Sequence, residues 1–229
     1  MQTPQDVSAS GFRCDAVLFD LDGTLVDSAP DITTAIDATL VALGQAPTGE
    51  ALVRLWVGNG ATRLLERALR HAGIADNARL EAARDLFFEH YAAHLADRSR
   101  LYDGVAPALE QLHASGLMLA VCTNKPARFV RPLLEGMRID RYFSAVLGGD
   151  ELAQRKPHPA PLLHLAGTLR VAPGRCLMVG DSRNDVEAAR AAGMPVIAVS
   201  YGYNHGDDVR DCAPDAVVDS LLELLMLLR

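Results

Sequence analysis

Two aspartates, Asp20 and Asp22, follow directly after a short apolar run at residues 16–19. Short apolar runs bounded by turn residues are typical of strands buried on both faces of a parallel sheet. Because side chains two residues apart on an extended chain point the same way, we expect both carboxylates to project from one edge of that sheet. Like charges in one pocket repel, so the pair predicts a bound cation or a shared proton. For this segment alone, the alternative is an Asx turn that ends a strand.

Two further polar segments carry groups that suit an anion. Thr123 and Asn124 follow a second apolar run at residues 117–122. A hydroxyl and an amide at a predicted helix start can cradle an anion, although either can also simply cap the helix. Lys156 stands beside two prolines, which predicts either a cation held for function or an ordinary exposed lysine of a loop.

Another pair of carboxylates, Asp181 and Asp185, follows the apolar run at residues 176–179. Open α/β sheets bind ligands at the carboxyl ends of their strands, and every polar group so far lies at such an end. Oxygen ligands of this kind suit Mg²⁺, which prefers carboxylates, water and substrate phosphate. The sequence therefore predicts a magnesium site at one edge of the sheet.

The apolar runs alternate with segments of helical periodicity, which is typical of a doubly wound, Rossmann-like α/β core with a parallel sheet. The predicted strands are residues 16–19, 117–122, 145–147, 176–179 and 196–199. The predicted helices between them are residues 106–114, 127–137, 161–169 and 184–192.

A long helical stretch interrupts this alternation after the first strand. Its predicted helices are residues 32–43, 50–57, 61–72 and 79–96. About seventy helical residues are too many for a simple crossover between two strands. We therefore expect an inserted all-helical cap, residues 29–99, on an α/β catalytic core formed by residues 1–28 and 100–229.

Composition and charge exclude several classes of protein. The formal net charge is −7, and Lys and Arg form no cluster that would indicate a nucleic-acid partner. The longest apolar run, residues 221–228, is too short to span a membrane, and residues 1–13 show no secretory signal. The four cysteines are far apart, which argues against disulfides and zinc. We expect a cytoplasmic protein, either a monomer or a homodimer.

Together the polar segments resemble the four motifs of the haloacid dehalogenase superfamily of phosphotransferases. They occur in order as DLDGTLVDS at 20–28, CTN at 122–124, KPHP at 156–159 and GDSRND at 180–185. The resemblance spans essentially the whole chain. It also implies that the helical insert is the smaller type of cap found in this superfamily.

The resemblance implies a role for each motif residue. Asp20 is the nucleophile that forms an aspartyl-phosphate, and Asp22 is the general acid and base. Thr123 and Lys156 hold the phosphoryl oxygens, and Lys156 also tempers the charge on Asp20. The implied Mg²⁺ ligands are Asp20, the backbone carbonyl of Asp22 and Asp181, with Asp185 behind them.

Other segments are similar to the bacterial phosphoglycolate phosphatases within this superfamily, namely residues 57–69, 121–135, 156–163 and 201–206. This similarity implies a small phosphorylated metabolite, 2-phosphoglycolate, that is hydrolysed to glycolate and phosphate. Gly58, Asn59 and Gly60 precede a predicted helix whose free N–H groups suit a carboxylate. Arg63 or Arg67 would assist by charge, unless both lie on a solvated helix face.

Several alternative functions stay open at this point. A related phosphatase for a sugar phosphate, such as N-acetylmuramate 6-phosphate, or a phosphosugar mutase would share these motifs. A dehalogenase is disfavoured because it does not need the acid and base that Asp22 supplies. A phosphonate hydrolase needs a lysine in the cap, and none occurs between residues 27 and 100. A catalytically silent binding module would be expected to lose at least one of Asp20, Asp22, Lys156 or Asp181.

Overall fold

A six-stranded parallel sheet forms the centre of the protein in a computed structural model that describes residues 11–74 and 76–229. The first ten residues of the expected core lie outside this range. The strands are β1 (Ala16–Phe19), β2 (Val26–Asp27), β3 (Arg100–Leu101), β4 (Met118–Cys122), β5 (Ala145–Leu147), β6 (Cys176–Gly180), β7 (Val196–Val199) and β8 (Ala216–Val218). The order in the large sheet is β5-β4-β1-β6-β7-β8, and β2 pairs with β3 in a separate antiparallel ribbon.

Helices cover both faces of the large sheet and form the insert. They are α1 (Ala29–Ala42), α2 (Glu50–Trp56), α3 (Ala61–His71), α4 (Asn77–Ala93), α5 (Val105–Ala114), α6 (Ala127–Gly136), α7 (Ala160–Leu169), α8 (Arg183–Ala192) and α9 (Leu224–Leu227). Residues of α5, α6 and α9 pack in one apolar cluster, and residues of α7 and α8 pack in another. Successive residues of β1 alternate between the two clusters, as the pleat of a strand requires. The doubly wound class is therefore confirmed.

The five predicted strands and eight predicted helices are all present, with ends that differ by up to three residues. The prediction missed β8 and the β2–β3 ribbon. Strands of two or three residues are at the limit of what an apolar run can indicate, although β5, which also has three residues, was predicted. In the described part of the chain, no helix is long and apolar enough to cross a membrane.

The helices α1 to α4 enclose an apolar cluster of their own, but two members of it come from outside the insert. Phe129 on α6 packs edge-on against Tyr91 of α4, with ring centroids 5.0 Å apart. Tyr203, which follows β7, belongs to the same cluster. The helical insert therefore shares buried surface with the α/β core, and the two bodies meet directly above the carboxyl ends of the strands.

A buried carboxylate joins the two chain segments that connect the insert to the core. Asp31, in the first turn of α1, accepts hydrogen bonds from the backbone N–H of Arg98 at 2.9 Å and of Ser99 at 2.7 Å. The hydroxyl of Ser99 donates to the same carboxylate at 2.7 Å. Because Asp31 and Ser99 are almost fully buried, removal of the carboxylate would leave donors without partners.

We expect Asp31→Ala to lower the free energy of unfolding by roughly 2–4 kcal/mol, because several charge-assisted hydrogen bonds are lost and their donors stay buried. Urea denaturation followed by circular dichroism measures this. Asp97→Ala is the matched control: its side chain is 61% exposed and pairs with His94, so a change within about 0.5 kcal/mol is expected. Equal effects of the two substitutions would contradict the role given to Asp31.

Candidate active site

The register of the sheet brings three motif residues to one edge. Phe19 lies opposite Val121 of β4 on one side and Val179 of β6 on the other. The residue after Phe19 and the residues two positions after Val121 and Val179 therefore emerge at the same edge. They are Asp20, Thr123 and Asp181, all of which are buried.

Lys156 lies in the middle of this edge with its ammonium group between two carboxylates. Its Nζ is 3.1 Å from Oδ2 of Asp20 and 2.6 Å from Oδ1 of Asp185. Burial favours the neutral amine, but the charges of Asp185 and Asp20 outweigh it and raise the pKa of Lys156. The group is therefore a permanent cation against Asp20.

Three carboxylates form a buried cluster around the same point. One oxygen atom from each of Asp20, Asp181 and Asp185 lies within 4.8 Å of the other two. Burial raises the pKa of Asp20 to about 7, although Lys156 opposes the shift. Burial, and then the neighbouring charges of Asp185 and Asp20, raise the pKa of Asp181 well above its usual value. A cluster that resists ionisation in this way is suited to a divalent cation, whose charge reverses the repulsion.

Asp181 is held in place from both sides. Thr24 donates its hydroxyl to Oδ1 at 2.7 Å, and the backbone N–H of Tyr203 donates to Oδ2 at 2.6 Å. Gly23 and Gly202 approach the carboxylate so closely that a Cβ atom at either position would collide with it. Asp185 is anchored differently, because its Oδ2 accepts hydrogen bonds from the N–H and the hydroxyl of Ser182 in the capping box of α8.

The side chain of Asp22 lines the same cavity as Asp20 but has partners of its own. Ser28 donates to its Oδ1 at 2.6 Å, and Nζ of Lys125 lies 3.0 and 3.1 Å from its two oxygens. Lys125 also donates to the hydroxyl of Tyr91 on α4 at 2.5 Å. No role was predicted for Lys125, Ser28 or Tyr91. Two of them left a signal in the sequence, since Ser28 ends the first motif at 20–28 and Lys125 follows the second motif directly.

Thr123 and Asn124 do not cap α6, because that helix begins after Pro126 and its cap has no side-chain hydrogen bond. The hydroxyl of Thr123 accepts from the N–H of Lys125 at 3.2 Å. The amide of Asn124 donates to the carbonyls of Lys156 and Gly58, each at 3.0 Å. Asn124 therefore ties the core to the loop that precedes α3.

The loop of Gly58, Asn59 and Gly60 is docked on the core by amide contacts. Asn184 of α8 donates to Oδ1 of Asn59 at 3.0 Å, and the ring of His205 lies 2.9 Å from the Asn59 amide nitrogen. In this conformation the insert covers the edge of the sheet.

The two arginines expected near the substrate point elsewhere. Arg63 pairs with Glu66 and its side chain is 68% exposed. Arg67 donates to the carbonyl of Trp56 at 3.0 Å. Neither lies among the residues that line the cavity described next. Arg63 matches the solvated-face alternative, whereas Arg67 is half-buried and bound within the insert.

A cavity of about 40 Å³ lies between the insert and the edge of the sheet. Apolar side chains of α1, α3 and α4 and of Phe129 form its upper wall. The polar groups that reach it are contributed by Asp20, Asp22, Thr123, Asn124 and Lys125, and the loop contributes Gly58 and Gly60. This cavity, called the chamber below, thus has carboxylates and a lysine on the side of the sheet and apolar side chains on the side of the insert.

A protein-family model for haloacid dehalogenase-like hydrolases matches residues 14–193. The chain belongs to this family. Hydrolases of this family use a divalent metal ion, and the buried aspartate cluster is compatible with one. The predictions of the family, the fold and an enzyme are therefore confirmed.

Named relatives extend over almost the whole chain. The phosphoglycolate phosphatase of Yersinia pestis is 50% identical over 91% of this chain and 90% of its own length. That of Nitrosococcus oceani is 47% identical over 93% of this chain and 95% of its own length. The crystal structure of a predicted phosphoglycolate phosphatase from Haemophilus somnus is similar with a TM-score of 0.90 and 39% identity, and covers 93% of this chain and 97% of that one.

The acidic cluster predicts how stability depends on pH when no metal is bound. A carboxyl group whose pKa is raised by folding holds its proton more tightly in the folded state, so its favourable contribution exists at low pH. That contribution is lost as the pH rises from 3.8, the ordinary value, to about 7, the folded value of Asp20. Asp181→Asn removes one of the groups responsible and should resist this loss.

We therefore compare the melting temperatures of Asp181→Asn and the wild type in EDTA. As the pH rises from 3.8 to about 7, the difference (variant minus wild type) should increase. Each kcal/mol corresponds to about 2–4 °C for a chain of this size. Asp15→Asn is the control, because Asp15 is exposed and pairs with Arg175 far along β1 from the cluster. If the melting temperatures of the wild type and Asp181→Asn changed equally with pH, the raised pKa of the acidic cluster would be contradicted.

Proposed function

We propose that this enzyme is a Mg²⁺-dependent phosphatase that hydrolyses 2-phosphoglycolate to glycolate and phosphate through an aspartyl-phosphate on Asp20. The observation that carries the proposal is the small cavity between the insert and the edge of the sheet, which Asp20, Asp22 and Lys125 line. A small cavity beneath the apolar wall of the insert favours a compact substrate over a sugar phosphate. The phosphoglycolate phosphatases that are about half identical over most of the chain support the same substrate.

In the first step, one oxygen of Asp20 attacks phosphorus and the bond from phosphorus to the ester oxygen breaks. The leaving oxygen takes a proton from Asp22, so glycolate departs as the alcohol. Lys156, which contacts Asp20, and the hydroxyl of Thr123 hold the phosphoryl oxygens where negative charge develops. The closed insert keeps bulk water out during this step.

In the second step, a water molecule attacks phosphorus and gives its proton to Asp22. The bond from phosphorus to Asp20 breaks, which restores both carboxyl groups and releases phosphate. Ser28 and Lys125 fix the Asp22 carboxylate in the position that both proton transfers require.

Mg²⁺ would be held by Asp20, Asp181 and the backbone carbonyl of Asp22, with Asp185 steadying the arrangement through Lys156 and Ser182. When bound, the ion supplies positive charge that offsets the repulsion between a carboxylate nucleophile and a phosphate dianion. The insert of residues 29–99 then acts as the cap over the core of residues 1–28 and 100–229. Its loop at Gly58, Asn59 and Gly60 closes the chamber.

Asp20→Asn should lower kcat by roughly a thousandfold or more, since an amide cannot form the covalent intermediate. Rapid acid quenching with ³²P-labelled substrate should trap a phosphorylated wild-type chain and no phosphorylated variant. Asp15→Asn, at the other end of β1, is the control and should keep full activity. A phosphorylated Asp20→Asn chain, or one with substantial turnover, would refute the covalent step.

A panel of phosphomonoesters with and without Mg²⁺ tests the proposed substrate. We expect kcat/KM for 2-phosphoglycolate to exceed that for ethyl phosphate by about ten- to a hundredfold, the value of one charge-assisted contact. Activity on N-acetylmuramate 6-phosphate should be lower still because of its bulk. EDTA should stop turnover, and Asp181→Ala should remove most of the response to Mg²⁺. Comparable cleavage of all three esters, or full activity after chelation, would sink the proposal.

A further inference from the structure

The distribution of lysine in this chain is unusual. Twenty of the 22 basic side chains counted as Lys and Arg are arginines, and the only lysines are Lys125 and Lys156. Both are buried, with relative exposures of 5% and 2%, and both lie at the edge of the sheet beside Asp20 and Asp22. Lysine is thus confined to two buried positions beside carboxylates, where a compact ammonium group with three donors is suited.

The two ammonium groups differ in their surroundings, and Lys156 already contacts two carboxylates. Lys156 neutralises Asp20 and Asp185, and the proposed function gives it the phosphoryl oxygens. Lys125 contacts a single carboxylate, that of Asp22, and its other polar neighbour is the neutral hydroxyl of Tyr91. Burial favours the neutral amine, yet Asp22 and Tyr91 raise the pKa of Lys125, so the group stays charged.

The ammonium of Lys125 lies at the boundary between core and insert. It stands 4.6 Å from the ring centroid of Tyr91 as well as within hydrogen-bond distance of its hydroxyl. Among the described residues that line the chamber, it is the one cation, and much of the wall above it is apolar. An ammonium has three protons to donate, and here they face the two oxygens of Asp22 and the hydroxyl of Tyr91. A bound anion would therefore take the place of one of the two contacts to Asp22.

The position of Asp22 sets where that anion must be. Asp22 delivers its proton to the ester oxygen, and Lys125 lies 3.0 Å from Asp22. In 2-phosphoglycolate a single methylene separates the ester oxygen from the carboxylate. A cation that touches the acid is therefore within reach of the substrate carboxylate. We propose that Lys125, oriented by Tyr91, binds the carboxylate of the substrate and so selects 2-carboxylated phosphate esters, an inference that rests on the proposed function.

This assignment replaces the cations expected from the sequence. Arg63 is exposed and Arg67 is bound to Trp56, whereas Lys125 is inside the chamber. The start of α3 at Gly60 still lines the opposite wall. Its dipole adds a weaker attraction for the same carboxylate.

The first test compares three substrates: 2-phosphoglycolate, ethyl phosphate, and the phosphate ester of 3-hydroxypropionate, whose carboxylate is one methylene farther away. The wild type should prefer 2-phosphoglycolate to both others in kcat/KM. In Lys125→Met, which keeps the length of the side chain without its charge, this preference should fall by about ten- to a hundredfold. Arg128→Met is the control, because Arg128 is a cation of α6 stacked on Phe88 outside the chamber, and it should keep the wild-type preference.

The second test does not depend on turnover or on the stability of Lys125→Met. In the full chain carrying Asp20→Asn and lysine labelled with ¹³C at Cε, the two lysines give two NMR signals, and their loss in Lys125→Arg and in Lys156→Arg assigns them. Saturating 2-phosphoglycolate should shift the Lys125 signal much more than ethyl phosphate does. Both esters should shift the Lys156 signal.

The outcomes distinguish the role of Lys125 from the proposed hydrolysis of 2-phosphoglycolate. A preference for 2-phosphoglycolate that is unchanged in Lys125→Met, or a Lys125 signal that responds equally to both esters, overturns the assignment of Lys125 and leaves the proposed function standing. A wild-type enzyme without any preference for 2-phosphoglycolate overturns both. A lost preference together with a selective Lys125 shift supports both.

Discussion

The structure depends on the repulsion among carboxylates that are buried at one edge of a parallel sheet. Asp20, Asp181 and Asp185 lie within a few ångströms of one another away from water, and burial raises the pKa of the first two. A folded chain tolerates such a cluster in its ionised form only with positive charge beside it. Lys156 supplies one such charge in the protein itself, and a divalent cation is the natural source of the rest.

The same constraint explains why the site needs an insert above it. Electrostatic stabilisation of a transferring phosphoryl group is strongest when water is excluded. Amide contacts from Asn124 and Asn184 dock the loop of the insert, and Tyr91 brings the insert to Lys125. The core thus provides the charged groups. The insert excludes water from them and contributes the hydroxyl of Tyr91 as a partner for Lys125. The small chamber therefore depends on both bodies, because the core contributes its charged groups and the insert contributes its apolar wall and Tyr91.

Local patterns were sufficient for most of the fold and for the residues at the strand ends. The apolar runs before Asp20, Thr123 and Asp181 were short, bounded and continuous, so strands and their polar termini could be predicted without any tertiary contact. Very short strands could not all be predicted: β5 was and β8, of equal length, was not, because three apolar residues barely distinguish a strand from other structure. Asp31 and Ser99 could not be paired either, since 68 residues separate them and only the return of the chain brings them together.

The sequence by itself determined that Asp20, Thr123 and Asp181 lie at the carboxyl edge of the sheet, because each follows an apolar run typical of a buried parallel strand. Only the tertiary structure decided what faces those side chains. It turned Asp22 toward Lys125 and Ser28, placed Arg63 in solvent, and gave Asn124 to the docking of the loop. The physical reason is that these contacts join residues distant along the chain, and their geometry is set by how the insert packs on the core.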